Sequence, residues 1–160
     1  MSLPPFEQVV LDHSQVVLHV CRALVGPHDA EDAWSETFLA ALTAYPRLRD
    51  DSNIRGWLVT IAHRKAIDRL RAAQRAPIPI GTLPNDPSLD RSAPDRSLDL
   101  WHSIAELPVA QRSAVVYHYI ADLPYAQVAK MLDRNEPAVR RAAADGIAKL
   151  RTTIRREDIP

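Results

Sequence analysis

The chain has 160 residues, and its 20 Lys+Arg balance 20 Asp+Glu, which excludes a uniformly basic coat; any contact with nucleic acid must come from a local basic face. Apolar residues make up 46%, enough for packed cores and too many for a disordered chain. With only 4 glycines, no G-x-G-x-x-G and no G-K-[ST], the sequence lacks the loops that cradle phosphates.

The single cysteine, Cys21, excludes an internal disulfide and a Cys-rich zinc site, and its apolar-periodic setting reads as a buried thiol. No apolar run reaches the ~18 residues of a membrane span. Met1-Ser2-Leu3-Pro4-Pro5 lacks the basic segment and apolar core of a secretory signal, so the expected location is the cytoplasm.

In chain order, Phe6, Val9, Val10, Val16, Val17, Val20 and Leu24 recur at helical spacing, and Gly26-Pro27 stops that helix. Asp29 is placed to cap a second helix carrying Trp34, Phe38, Ala41, Leu42 and Tyr45 on one stripe, ended by Pro46. After the polar loop Arg47–Ser52, Asn53 caps a third helix to about Gln74, with Ile54, Trp57, Leu58, Ile61, Ile67 and Leu70 apolar. Residues 77–95 then hold five of the thirteen prolines and show no usable period, which predicts an extended linker. Beyond it four helices are expected, near 96–106, 108–121, 124–132 and 137–155, with Asp95 or Ser97 opening the first and Pro108, Pro124 and Pro137 each starting one. No run alternates like a strand. The expected fold is all-α: a small helical domain at 1–76, a linker at 77–95 and a four-helix domain at 96–160.

Catalytic signatures are missing: there is no H-E-x-x-H, G-x-S-x-G or EF-hand loop, and the six histidines are scattered. His13 and His19 stand six apart on one helix and so are not side by side. No enzyme activity, metal or cofactor is expected. The carboxylates Asp29, Glu31, Asp32 and Glu36 sit at a helix start, where they complement the dipole or form an acidic docking face.

The charge map is more telling. Eight Lys/Arg lie between Arg47 and Arg75 against Asp50, Asp51 and Asp68, and six lie between Pro137 and Arg156 against Asp145. Each half thus ends in a basic helix, the kind of face a phosphate backbone rewards through counterion release. The segment 124–132, the turn Asp133-Arg134-Asn135-Glu136 and the basic helix after it form a helix-turn-helix candidate, with Val128, Leu132, Val139, Ile147 and Leu150 as its core.

Four blocks in order resemble the extracytoplasmic-function group of sigma factors in the sigma-70 family. Asp29-Ala30-Glu31-Asp32 with Ser35-Glu36-Thr37-Phe38 is similar to D-A-E-D-x-x-Q-E-x-F. Trp57 to Arg71 is similar to W-L-x-x-I-A-x-N-x-x-x-D-x-x-R. Leu107-Pro108 with Arg112, then Leu123-Pro124-Tyr125 with Val128-Ala129 and Leu132, are similar to L-P-x-x-x-R and L-S-Y-x-E-I-A-x-x-L.

The resemblance implies a promoter-specificity subunit that binds core RNA polymerase and promoter DNA, with an anti-sigma protein as a further partner. It places Asp29, Asp32, Ser35 and Glu36 against polymerase. It gives an extruded −10 base to Arg49, Ser52, Asn53, Trp57 and Arg64, where stacking and a pocket offset unstacking. It sets Tyr125, Arg140 and Arg141 against the −35 duplex. Trp57 reads equally well as a core tryptophan.

Several positions depart from the family pattern. Ser35 stands for Gln, Arg64 for Asn, Asp133 for a turn Gly, and Pro137-Ala138 for Gly-Thr. Ala142, Asp145 and Ile147 replace basic residues, which implies weaker or altered −35 binding. Two rival readings are a plain helix-turn-helix regulator and a sigma-like interaction protein without −35 recognition.

Overall fold

The computed structural model describes residues 2–75 and 96–157, and among them there are helices and turns but no strand. The expected linker, 77–95, lies outside the described residues.

In the first half, α1 (Phe6–Val25) ends at Gly26, whose φ of 86° is the left-handed backbone that glycine adopts without a side-chain penalty. Helix α2 (Ala30–Ala44) follows, and Pro46 closes it through a 3-10 turn at Tyr45–Arg47. The expected cap by Asp29 is not made; its backbone is already helical, and its carboxylate points instead toward Arg69, 3.9 Å away. Helix α3 (Ile54–Arg75) is capped as expected, with the Gly56 N–H donating to Asn53 Oδ1 at 3.2 Å.

The three helices bury Val9, Val17, Val20 and Leu24 against Ala33, Phe38 and Ala41 of α2 and Leu58, Val59, Ala62 and Ala66 of α3. The alanines let the backbones approach. Trp34 Nε1 donates to Ser14 O at 2.9 Å and the Tyr45 hydroxyl to Pro4 O, so each large ring keeps a polar partner. Leu42, expected on the apolar stripe, instead faces solvent at 52% exposure, because the core side of α2 is set by Ala33, Thr37, Phe38 and Ala41.

The second half comprises α4 (Arg96–Glu106), α5 (Val109–Val115), α6 (Tyr125–Leu132) and α7 (Glu136–Glu157). The single helix expected at 108–121 is divided, since Val116–Ile120 winds as a π-helical turn. Pro108 and Pro124 stand one residue before their helices rather than in them, and their carbonyls accept the first helical bonds from Arg112 at 2.9 Å and Val128 at 3.1 Å. Pro137 occupies the second position of α7, whose cap is Asn135 Oδ1, 2.8 Å from the Ala138 N–H. Asp133 adopts the left-handed conformation that closes α6 (φ 53°, ψ 48°), one that Asp tolerates better than most residues. Arg112 Nη2 donates to Leu107 O at 3.1 Å, giving the Leu-Pro-x-x-x-Arg spacing a structural role in tying α5 to the end of α4.

The halves pack on each other. Tyr117, in the π-helical turn, is fully buried, and its hydroxyl lies 2.5 Å from His63 Nδ1 of α3. The Trp101 ring of α4 lies 5.5 Å from the His19 ring of α1, tilted by 49°, with the Arg22 guanidinium 5.1 Å from the Trp101 ring. Arg55 Nη1 stands 3.6 Å from Asp122 Oδ2. Gly56 of α3 meets Gln127 of α6 so closely that a β-carbon there would lie 2.0 Å from Gln127 Nε2.

Candidate protein-docking and nucleic-acid surfaces

Three of the four expected polymerase-facing residues, Asp32, Ser35 and Glu36, lie on one exposed face of α2; Asp29, half-buried, precedes the helix. The Arg69 guanidinium reaches this face from α3, with Nη2 2.7 Å from Glu36 Oε1 and Nε 3.4 Å from Oε2. The Glu36 hydrogen bond, joined by the fields of Asp32 and Asp29, raises the Arg69 pKa above its ordinary value. Leu39 (65% exposed) and Leu42 continue the same face. Their exposure was missed from sequence, although Leu39 falls between the core positions Phe38 and Ala41 and so breaks the stripe. The result is an acidic surface with an apolar end.

The expected −10 residues gather only in part. Ser52, Asn53, Trp57 and Arg64 line one cavity of about 350 Å³ together with Leu48, Gly56, Thr60 and Ile61. Arg49 does not line it; it is exposed and pairs with Asp51 at 3.3 Å, two residues along the same loop. Trp57 is half-buried, its ring 6.1 Å from that of Tyr45, so it combines core packing with an edge on the cavity. The remaining wall is Gln127 of the second half, which also lines the adjoining 520 Å³ groove with His63, Arg64, Arg71 and Lys130.

In the helix-turn-helix, Tyr125, Arg140 and Arg141 divide between two faces. Arg140 is fixed: its Nη2 lies 2.7 Å from Glu136 Oε1, and its guanidinium sits 4.7 Å above the Tyr125 ring. Tyr125 in turn stacks on His118 at 3.7 Å, and the His118 ring donates from Nδ1 to Leu123 O at 2.8 Å. Arg141 lines a separate groove with Arg134, Pro137 and Asp145. Asp145 is exposed one helical turn beyond Arg141, so a carboxylate shares the outer face of α7. Ala142 and Ile147 are half-buried, so the two substitutions alter packing as well as charge.

Burial pushes the Cys21 thiol up to about 11, so it stays protonated. Burial, assisted by Arg64, lowers the His63 pKa below 6.5. Among the described residues no group of His, Cys, Asp and Glu is arranged to hold a metal, and no helix is long and apolar enough to cross a membrane.

The family model Sigma-70 region 2 matches residues 9–76, and Sigma-70, region 4 matches residues 97–150. The chain is 32% identical over 150 residues to the ECF RNA polymerase sigma factor SigM of Mycobacterium tuberculosis, covering 91% of this chain and 74% of that protein. It is 36% identical over 106 residues to SigK of Mycolicibacterium vanbaalenii, covering 61% of this chain and 54% of the relative. The fold is similar to that of RpoE, solved with the anti-sigma factor NepR from Bartonella quintana (TM-score 0.75, 18% identity, 94% of this chain and 96% of that one). It is also similar to that of CnrH, solved with the cytosolic domain of CnrY (TM-score 0.68, 22% identity, 96% and 89%). The two family matches in order, and a relative aligned across both, show that the chain belongs to the extracytoplasmic-function group of the sigma-70 family: it is a sigma subunit of RNA polymerase that directs transcription initiation.

Proposed function

We propose the division of labour within this sigma subunit. Residues 1–76 dock on core polymerase through Asp29, Asp32, Ser35 and Glu36, with Leu39 and Leu42 adding apolar area. They receive the −10 strand at Ser52, Asn53, Trp57 and Arg64, with Arg49 contacting phosphate outside the cavity. Residues 96–160 hold the −35 duplex with Tyr125, Arg140 and Arg141, and 77–95 links the two. The chain contributes no catalysis, works where polymerase works, in the cytoplasm, and takes an anti-sigma protein as a regulator.

The observation that carries this reading is the convergence of Ser52, Asn53, Trp57 and Arg64, from a loop and two turns of α3, on one cavity with an aromatic edge and a cation. Run-off transcription with core polymerase tests it: initiation should depend on this protein and should fall when Trp57 and Arg64 are both replaced by Ala. Undiminished initiation by a folded double variant overturns the −10 assignment. A second reading, a sigma subunit with reduced dependence on −35 DNA, is favoured by Asp145 on the outer face of α7. It predicts initiation that is insensitive to −35 substitutions.

A further inference from the structure

Arg140 is exposed on α7, yet its guanidinium is held. Glu136, one turn earlier, accepts from both Nε and Nη2 through a single oxygen, at 3.2 and 2.7 Å. That pairing takes the side edge of the group. Nη1 makes no hydrogen bond among the described residues, so the end edge, formed by Nη1 and the second proton of Nη2, is open to a bidentate partner. The pair with Glu136 carries no net charge, which leaves it little general attraction for phosphate. Its two parallel donors suit the O6 and N7 acceptors of guanine in a major groove.

Tyr125 fixes the plane of that edge. The guanidinium carbon lies 4.7 Å from the centre of the Tyr125 ring. His118 stacks on the same ring at 3.7 Å, with the two planes 13° apart. A ring that close fills the face it covers, so the guanidinium occupies the opposite face. The order is therefore His118, Tyr125, Arg140: three flat groups in a pile, with Glu136 at its far end.

His118 is the anchored foot of the pile. It is half-buried in the π-helical turn Val116–Ile120, a local insertion of the sort that re-aims side chains. Its Nδ1 donates to Leu123 O at 2.8 Å, and the Tyr119 ring meets it edge-on at 4.8 Å. Leu123 is itself buried, and its N–H donates to Tyr117 O at 3.1 Å, so the anchor belongs to the core. An arginine side chain has much rotamer freedom to lose on binding, and a guanidinium already held in one plane loses less of it.

We propose that His118 is a positioning residue for promoter recognition: through Tyr125 it holds the Arg140 guanidinium in the plane from which its end edge reads a guanine of the duplex. The proposal rests on the assignment of Tyr125, Arg140 and Arg141 to the −35 duplex, and its test separates the two. His118 acts through Tyr125 and needs no contact with DNA itself.

The probe is a duplex enriched from a random pool by core polymerase carrying the wild-type full chain. The quantity read is its affinity relative to a shuffled duplex of the same length. His118→Asn keeps a donor for Leu123 O and removes the ring, whereas His118→Phe keeps the ring and removes the donor. Relative affinity should fall about fivefold in His118→Asn, the effect of losing an exposed cation–π contact, and should stay near the wild-type value in His118→Phe. The logarithmic salt slope should stay constant in both, since the Arg140–Glu136 pair is neutral. Added to Arg140→Ala, His118→Asn should cause no further loss; a purely structural role would cause the same loss in both backgrounds. Where His118→Asn lowers helical content, His118→Leu, which fills the space without a flat ring, takes its place with the same expectations. Equal losses in both backgrounds, an equal fall in His118→Phe, or full discrimination by a folded ring-free variant overturns the positioning role while Arg140→Ala still loses discrimination. If no duplex is enriched, or if Arg140→Ala discriminates as the wild type does, the assignment of Arg140 to the −35 duplex falls and the proposal with it.

Discussion

Arg69 of α3 grips Glu36 of α2 through a fork at 2.7 and 3.4 Å, so a carboxylate expected to face polymerase is already bound within the chain. Asp32, exposed one turn earlier, has no hydrogen bond or ion pair among the described residues. The two acidic groups therefore differ in what their loss should do. Asp32→Asn should weaken capture by core polymerase with little change in thermal stability, since Asp32 makes no direct pair and only its field on Arg69 and on the start of α2 is lost. Glu36→Lys should weaken capture and also cost about 0.2–1 kcal/mol of stability, the range for an exposed ion pair. Pull-down with core polymerase, beside thermal denaturation, checks both.

The split between Arg140 and Arg141 gives a second expectation. Arg140 is held by Glu136 and Tyr125, whereas Arg141 lies beside Asp145 on the outer face. Asp145→Ala should raise duplex affinity, since it removes a charge that repels phosphate. Arg141→Ala should lower affinity and flatten the logarithmic salt dependence by about one unit if it contacts phosphate. Titrations of duplex DNA at several salt concentrations, using the full chain, measure both slopes.

The packing of the second half on α3 should loosen in acid. His63 faces the Tyr117 hydroxyl across the contact; Arg64, Asp68 and Arg71 of its own helix and Gln127 and Lys130 of α6 border the groove beside it, and Cys21 of α1 stands near Tyr117. Burial, then the Arg64 charge, lowers its pKa from 6.5, so His63 packed against Tyr117 resists the proton that a solvent-exposed His63 accepts. The contribution to this packing is complete above pH 6.5 and declines as pH falls below that value toward the lowered one. The radius of gyration from small-angle scattering should rise between about pH 7.5 and pH 5.5. His13, also lowered by burial, acts on stability with the same sign, so the diagnostic part is that which His63→Gln removes.

Gly146 allows α7 to lie close on α5: an added β-carbon would stand 2.7 Å from Val115 Cγ2, with the Gln111 backbone and β-carbon at 3.4 Å. Gly146→Ala should destabilise the protein by about 1–3 kcal/mol through overpacking, despite the better helix propensity of Ala. Urea denaturation should show the lower midpoint. An unchanged or raised midpoint would mean that Val115 moves aside freely.

Local chemistry settled much of this protein before any folding. The stop at Gly26-Pro27, the cap at Asn53, the left-handed Asp133 and the start of α4 at Arg96 all depend on a few neighbouring residues, and there the sequence expectation and the structure agree. The grouping of Arg49, Ser52, Asn53, Trp57 and Arg64 came from the family resemblance, and a loop and one helix bring all but Arg49 to one cavity. Tertiary structure decided the rest. Arg69 and Glu36 are 33 residues apart, and His63 and Tyr117 are 54 apart, so no helical periodicity could pair them. The Asp29 carboxylate left its cap position for a cation on another helix, and Leu42 faces solvent because the close neighbours of α2 lie on the other side. Above all, the sequence shows two halves and a proline-rich segment between them, but not whether the halves touch. That is decided by the contacts of Trp101, Tyr117, Asp122 and Gln127 with the first half, and the π-helical turn that carries Tyr117 leaves no mark in the apolar pattern.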